Sequence, residues 1–187
     1  TAVVMALVTL AYGMGYMDDG AYVIQPLDHY AASKRAAEIL LETGREQGLK
    51  TTILRLPGVF GGDRKAGVID QMCHDAIKHR VVRVTAAYPL PINTMHIDDV
   101  VGALVAAVAV LQIRGVTENV TGPEPCSLTL LAKEIASLVP GCRVEKSSIE
   151  QPVFQREAPK YLDWRPKPRK ERLAQVLEEI KCDTGNA

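Results

Sequence analysis

Residues 1–11 read TAVVMALVTLA, an uncharged run of small, aliphatic and β-branched side chains that ends at Tyr12-Gly13. No basic stretch precedes it, as one would in a signal peptide. It is also shorter than the ~20 residues that cross a bilayer. A continuous apolar run of this length is what a strand shows when helices cover both its faces, as in parallel sheets. The run predicts a buried parallel strand over residues 3–9, and with it an α/β fold.

Outward from that strand, residues 13–27 are rich in Gly, Asp and aromatic side chains and read as an irregular loop. Residues 31–47 have helical composition, with Ala36, Ile39 and Leu40 on one face and Gly48 placed to end the helix. TTILRL at 51–56 is a β-branched strand stopped by Pro57-Gly58, and Gly61-Gly62-Asp63 makes a second break. A helix is predicted over 68–78 and a short strand over 81–84, followed by a loop through Pro89 and Pro91. Asp98 reads as the N-cap of a helix over 99–112, apolar nearly all round and therefore expected to be buried. A short strand is predicted at 119–120, a helix capped by Ser127 that runs to 138, and a terminal helix over 170–180 with Leu173, Val176, Leu177 and Ile180 on its apolar stripe. Strands alternating with helices imply parallel pairing. Only two of the strands are long, so the first must find a neighbour that this stretch of chain supplies poorly.

Composition narrows the partners. Of 187 residues 47% are apolar and 24% charged, enough for a full core. Lys plus Arg and Asp plus Glu are 22 each, so the net charge is zero. That argues against nucleic acid or an anionic membrane as the main partner, since both call for a basic excess. Cys73, Cys126, Cys142 and Cys182 form no C-x-x-C pair, which suits a reduced, cytoplasmic chain.

The chemical signal is Tyr30-Ala31-Ala32-Ser33-Lys34 at the head of the first helix. Residues four apart share a helical face. A tyrosine titrates near pH ~10, too high for a base at neutral pH. An ammonium ~4 Å away stabilises the phenolate by roughly 1–4 kcal/mol, which would bring the phenol toward the neutral range. The pair can be an acid/base couple, and equally a solvated pair on a surface helix. The other candidates have structural readings. Cys73, His74 and His79 do not share one helical face, and no carboxylate completes a metal site. The basic run 165–172 reads as a solvated face. No P-loop, nucleophile elbow or metalloprotease pattern is present.

Taken in order, the strand ending in Tyr12-Gly13, YAASKRAAE, TTILRLPGVFGG, MHIDDV, ENVTGPEPCSL and DWRPKP resemble the extended short-chain dehydrogenase/reductase superfamily, in its NAD-dependent epimerase/dehydratase branch. The resemblance runs from about Val3 to Ile180. It implies a partial Rossmann-like, doubly wound parallel sheet with a small mixed α/β substrate-binding part. Residues 1–62 would be the C-terminal part of the dinucleotide-binding domain and 63–187 mainly substrate-binding, with 94–121 returning to the Rossmann core. Tyr30 would be the catalytic acid/base. Lys34 would lower its pKa and hold the nicotinamide ribose, and Pro57, Gly58 and Val59 would lie along the nicotinamide. Thr9 is the hydroxyl nearest the family's Ser/Thr position, which itself falls on Val8. Asp98 and Asp99 would brace a loop and cap a helix, and Trp164-Arg165-Pro166 matches the tail motif.

The resemblance also implies NAD or NADP as cofactor, a hydroxyl or keto group of a nucleotide sugar or related small molecule as substrate, and a possible homodimer through helix 31–47. Gly58 stands where the branch usually has Asn, and Ile92 where it has a phosphate-binding Arg, so a simpler alcohol or amino-acid substrate stays open. So does a non-catalytic binding or regulatory member of the fold. The family's Gly-rich turn should lie far upstream of the tyrosine, yet only 29 residues precede Tyr30. Gly13, Gly15 and Gly20 imitate it without a following helix, and pyrophosphate needs a helix N-terminus. The chain, which begins on Thr1, therefore reads as the back part of an enzyme, expected to bind NAD(P) poorly by itself.

Overall fold

The computed structural model describes residues 2–8, 29–62, 67–84, 93–109, 115–122, 126–146 and 164–185. The chain divides into two compact units. One comprises Thr1–Gly58, Val101–Val120 and Ala158–Trp164, the other Val59–Val100, Thr121–Glu157 and Arg165–Ala187.

In the first unit, β1 (Ala2–Val8) pairs in parallel with β2 (Lys50–Leu56) along its whole length, from Ala2 opposite Lys50 to Val8 opposite Leu56. Helix α1 (His29–Glu46) stands between them in the chain. Parallel neighbours need such a crossover, because a tight turn can only reverse direction. Gly48, at φ +89°, ends the helix. Its N–H donates to the Arg45 carbonyl at 2.9 Å and that of Leu49 to the Gly44 carbonyl at 2.9 Å, the paired bonds of a Schellman turn. On the other side of β2 lies β6 (Thr117–Asn119), also parallel, in the order β1-β2-β6. With neighbours on both edges, β2 buries Thr51, Thr52, Ile53, Leu54 and Leu56, which explains the β-branched and aliphatic residues on either side of Arg55.

The second unit holds the apolar core. Helices α2 (Val68–His79), α4 (Leu128–Leu138) and α5 (Arg169–Gly185) pack on one another, and β4 (Val81–Val84) pairs in parallel with β7 (Arg143–Lys146). Phe60, Met72, Cys73, Leu131, Ile135, Leu173 and Leu177 are buried together. The Ser127 Oγ accepts the Leu130 N–H at 3.1 Å, the expected cap of α4. A two-stranded sheet joins β3 (Gly58–Phe60) to β5 (Thr94–His96). The parallel strands and helices give the α/β architecture that the sequence implied.

Several expectations need correction. Helix α3 (Ile97–Ala109) begins one residue before Asp98, so Asp98 lies in its first turn and does not cap it. Nor is α3 buried all round. Val100, Ala103 and Ala107 are buried, but Val101, Val105 and Val108, at i, i+4 and i+7, are exposed. On α1, Ile39 and Leu40 face solvent as well, while Glu38 is fully buried. The tail is not a uniformly solvated basic face, because Arg169 and Arg172 are buried in ion pairs. Among the described residues no helix is long and apolar enough to cross a membrane.

Candidate active site

Tyr30 and Lys34 are one turn apart at the N-terminal end of α1. The Tyr30 ring is half-exposed, and Lys34 Nζ lies over its face, 5.2 Å from the centroid. That is within cation–π range, worth about 0.5–1 kcal/mol at an exposed site. The Ser33 hydroxyl donates to the Tyr30 carbonyl at 2.7 Å.

Contacts along α1 show where this pair sits on the sheet. Arg45 donates from Nε to Thr51 Oγ1 at 2.7 Å and from Nη2 to the Val116 carbonyl at 2.8 Å, near the start of β2. Seven residues earlier in the helix, Glu38 meets Arg55, near the end of β2. Helix and strand are therefore antiparallel. The eight residues from Glu38 back to Tyr30 carry the helix about 12 Å further, at ~1.5 Å each. Only Leu56 remains in that direction, at ~3.3 Å per strand residue. The phenol thus stands beyond the carboxyl ends of the parallel strands, the position where open α/β sheets bind ligands.

Residues 57–59 lead out of that same strand end. Pro57 is buried, and Gly58 and Val59 are partly exposed. Gly58 opens β3 one residue after the end of β2. Thr9 lies outside the described residues, as do Ile92 and the glycines at 13, 15 and 20. Of Val8 only the backbone is described.

The segment around MHIDDV is built for structure. His96 is buried, and its Nδ1 accepts the Asp98 N–H at 3.2 Å, so the imidazole fills the capping role expected of Asp98. Because a backbone N–H only donates, the ring proton sits on Nε2. Burial holds the His96 pKa below the ordinary imidazole value, against the raising effect of the Asp98 charge. Phe60 packs edge-on against this ring at 5.4 Å between centroids. Gly61, at φ +87°, brings its backbone so close that a Cβ there would overlap the imidazole. Asp99 takes a forked bond from Arg172 (Nε at 2.9 Å, Nη2 at 2.7 Å), and Arg172 Nη1 reaches Asp98 at 2.9 Å. A hydrogen bond from Gln175, foremost, and then the charge of His96 hold the Asp98 carboxyl below its usual range. The Cys73 thiol is pushed up to about 12 by burial and by the Asp70 charge, which leaves it a small apolar side chain. Among the described residues no group of three His, Cys, Asp or Glu could hold a metal ion.

Glu38, Arg35 and Arg55 were not singled out from the sequence. Glu38 is fully buried; its Oε1 accepts Arg55 Nε at 2.8 Å, and its Oε2 accepts Arg55 Nη2 at 2.9 Å and Arg35 Nη1 at 3.1 Å. The available signal was a Glu one turn beyond Lys34 with an Arg near the end of the next strand.

The sequence profile of the NAD dependent epimerase/dehydratase family matches residues 9–117, more than half of the chain. The chain belongs to this family. No curated protein sequence matches it. Among solved structures, UDP-glucose 4-epimerase from Thermotoga maritima, determined with UDP-glucose, is 20% identical, with a TM-score of 0.78 over 98% of this chain and 64% of that one. RMD from Pseudomonas aeruginosa, complexed with NADPH, gives 17% and 0.74, covering 97% of this chain and 66% of that one. The dTDP-glucose 4,6-dehydratase from Bacillus anthracis, in complex with NAD, gives 15% and 0.73, covering 97% and 62%. At these identities the likeness establishes the fold. The chain spans about two thirds of the length of these structures.

Proposed function

We propose that this member of the epimerase/dehydratase family is an NAD(P)-dependent oxidoreductase acting on a hydroxyl or keto group of a nucleotide sugar or related small molecule. The observation that carries the reading is the half-exposed Tyr30 phenol, beyond the carboxyl ends of the strands, with the Lys34 ammonium 5.2 Å above its ring. Tyr30 Oη takes the proton of the substrate hydroxyl, or returns it to the carbonyl oxygen. Lys34 favours the phenolate by its charge and offers N–H donors to ribose hydroxyls. Its ammonium and the exposed phenol suit the ribose–nicotinamide end of a dinucleotide, with Pro57, Gly58 and Val59 beside it and Thr9 as a further hydroxyl. The nicotinamide, when bound, accepts or returns the hydride.

The pyrophosphate site is assigned to further chain, a reading that the partial coverage of the solved structures supports. The same reading includes a homodimer through α1 and a cytoplasmic location, which suits four free thiols.

Tyr30→Phe in the full-length protein tests the mechanism. Loss of a positioned proton donor should lower kcat by roughly 10²–10⁴-fold, on NAD(P)-linked turnover of nucleotide sugars or hydroxy acids, while NAD(H) binding measured by fluorescence is retained. Unchanged turnover would remove the tyrosine mechanism and leave the non-catalytic reading.

A further inference from the structure

Tyr30, Lys34 and Glu38 follow one another at intervals of four on α1, so they share a stripe along the helix. Among the described residues, the phenol lies one turn back from Lys34 on this helix and the carboxylate one turn on. A Lys and a Glu four apart on a helix ordinarily attract each other by a few tenths of a kcal/mol. Here the ammonium lies over Tyr30 instead, 5.2 Å from the ring centroid.

The carboxylate is engaged elsewhere. Glu38 is wholly buried, and a buried charge must be compensated where it stands. Arg55 grips both oxygens through Nε and Nη2 at 2.8 and 2.9 Å, and Arg35 Nη1 adds a third contact at 3.1 Å. The forked pair fixes the carboxylate's plane as well as its charge, which a lysine could not do as well.

We infer that Arg55, with Arg35, occupies Glu38 so that Lys34 is left to Tyr30. Arg55, Arg35 and Glu38 are thus positioning residues for the acid/base pair, and this inference rests on the function proposed above. Arg55 immediately precedes Leu56-Pro57-Gly58, so the same fork also ties the catalytic helix to the strand end beside which the nicotinamide is proposed to lie.

The test reads the position of Lys34 directly. In the chain labelled with 13C-lysine, the Lys34 ε-methylene protons should show an upfield ring-current shift, assigned by its loss in Tyr30→Leu. In Arg55→Met the shift should fall by half or more, as Glu38 draws the ammonium forward. In the double variant Glu38→Gln, Arg55→Met, which has no carboxylate to draw it, the shift should return. Arg35→Met, at a partly exposed position, should move it in the same direction by a smaller amount and covers the case in which Arg55→Met does not fold. A Lys34 signal unmoved by the arginine variants, or lost equally in the single and double variants, would overturn the inference.

Turnover of the full-length variants separates the two readings. kcat should fall at least tenfold in Arg55→Met, with KM little changed, and recover in the double variant. If the spectra follow the pattern while turnover does not, the positioning stands and the tyrosine mechanism fails.

Discussion

The imidazole of His96 shows how one residue couples packing to pH. Its Nδ1 caps α3 through the Asp98 N–H, and burial keeps its pKa below the value of an unfolded histidine. Between those two values the unfolded chain binds a proton that the folded chain refuses, so stability must rise with pH through that window and be lost as pH falls. Asp98 follows the same sign in a lower window, since its depressed pKa makes its contribution disappear as pH drops below the usual carboxylate range. Arg172, Asp98, Asp99 and Glu179 are the charged groups that act on the ring. His96→Asn keeps a capping side chain and removes the titration. The variant should be less stable at pH 7.5 by about 1–3 kcal/mol, through lost packing on Phe60. Its unfolding temperature should also fall less steeply than the wild type's between pH 7.5 and 5. Parallel slopes by differential scanning calorimetry would show that the imidazole does not carry the dependence.

Between elements, one tie in the second unit runs from the first turn of α3 to α5. Asp99 is buried, and Arg172 meets it with two bonds while also reaching Asp98 and Gln175. Arg172→Leu strands a buried carboxylate and should cost about 3–5 kcal/mol by urea unfolding. Adding Asp99→Asn removes the stranded charge and should recover part of that loss; if the double variant is no more stable than the single, the pair is not the source. This tie also marks where sequence reading stops. Helix α4 with its Ser127 cap and the end of α1 at Gly48 were legible because a cap and a turn are local, set within a few residues. Asp98 looked like a cap by the same local rule, yet His96 takes that place. Whether an arginine in a basic run is solvated depends on a carboxylate 73 positions away, which no periodicity reports. The valines of α3 were expected to be buried for the same reason: composition shows an apolar helix but not which of its faces has a neighbour. Strands β3, β5 and β7 escaped notice because three or four residues make a weak pattern, whereas the equally short β4 was legible because VVRV is mostly β-branched.

At the scale of the whole chain, the α/β class followed from one apolar run and the alternation around it, and the Tyr30–Lys34 pair from a spacing of four. The Glu38–Arg55 fork that ties α1 to β2 was hidden, since it joins residues from two elements. One consequence reaches beyond a single copy. Among the described side chains of α1 the buried one is the charged Glu38, while Ile39 and Leu40 are 47% and 73% exposed. Two such helices packed about a twofold axis would bury each leucine against its counterpart's helix. Full burial of one Leu is worth about 1.5–3 kcal/mol, and twofold symmetry applies each substitution twice. Leu40→Arg, which keeps helix propensity, should therefore weaken self-association by 3 kcal/mol or more, at least about 100-fold in Kd. Circular dichroism should be unchanged, while sedimentation equilibrium shifts from dimer to monomer. A wild-type chain that sediments as a monomer at high concentration, or a variant that dimerises as tightly, would place the α1 face against some other partner.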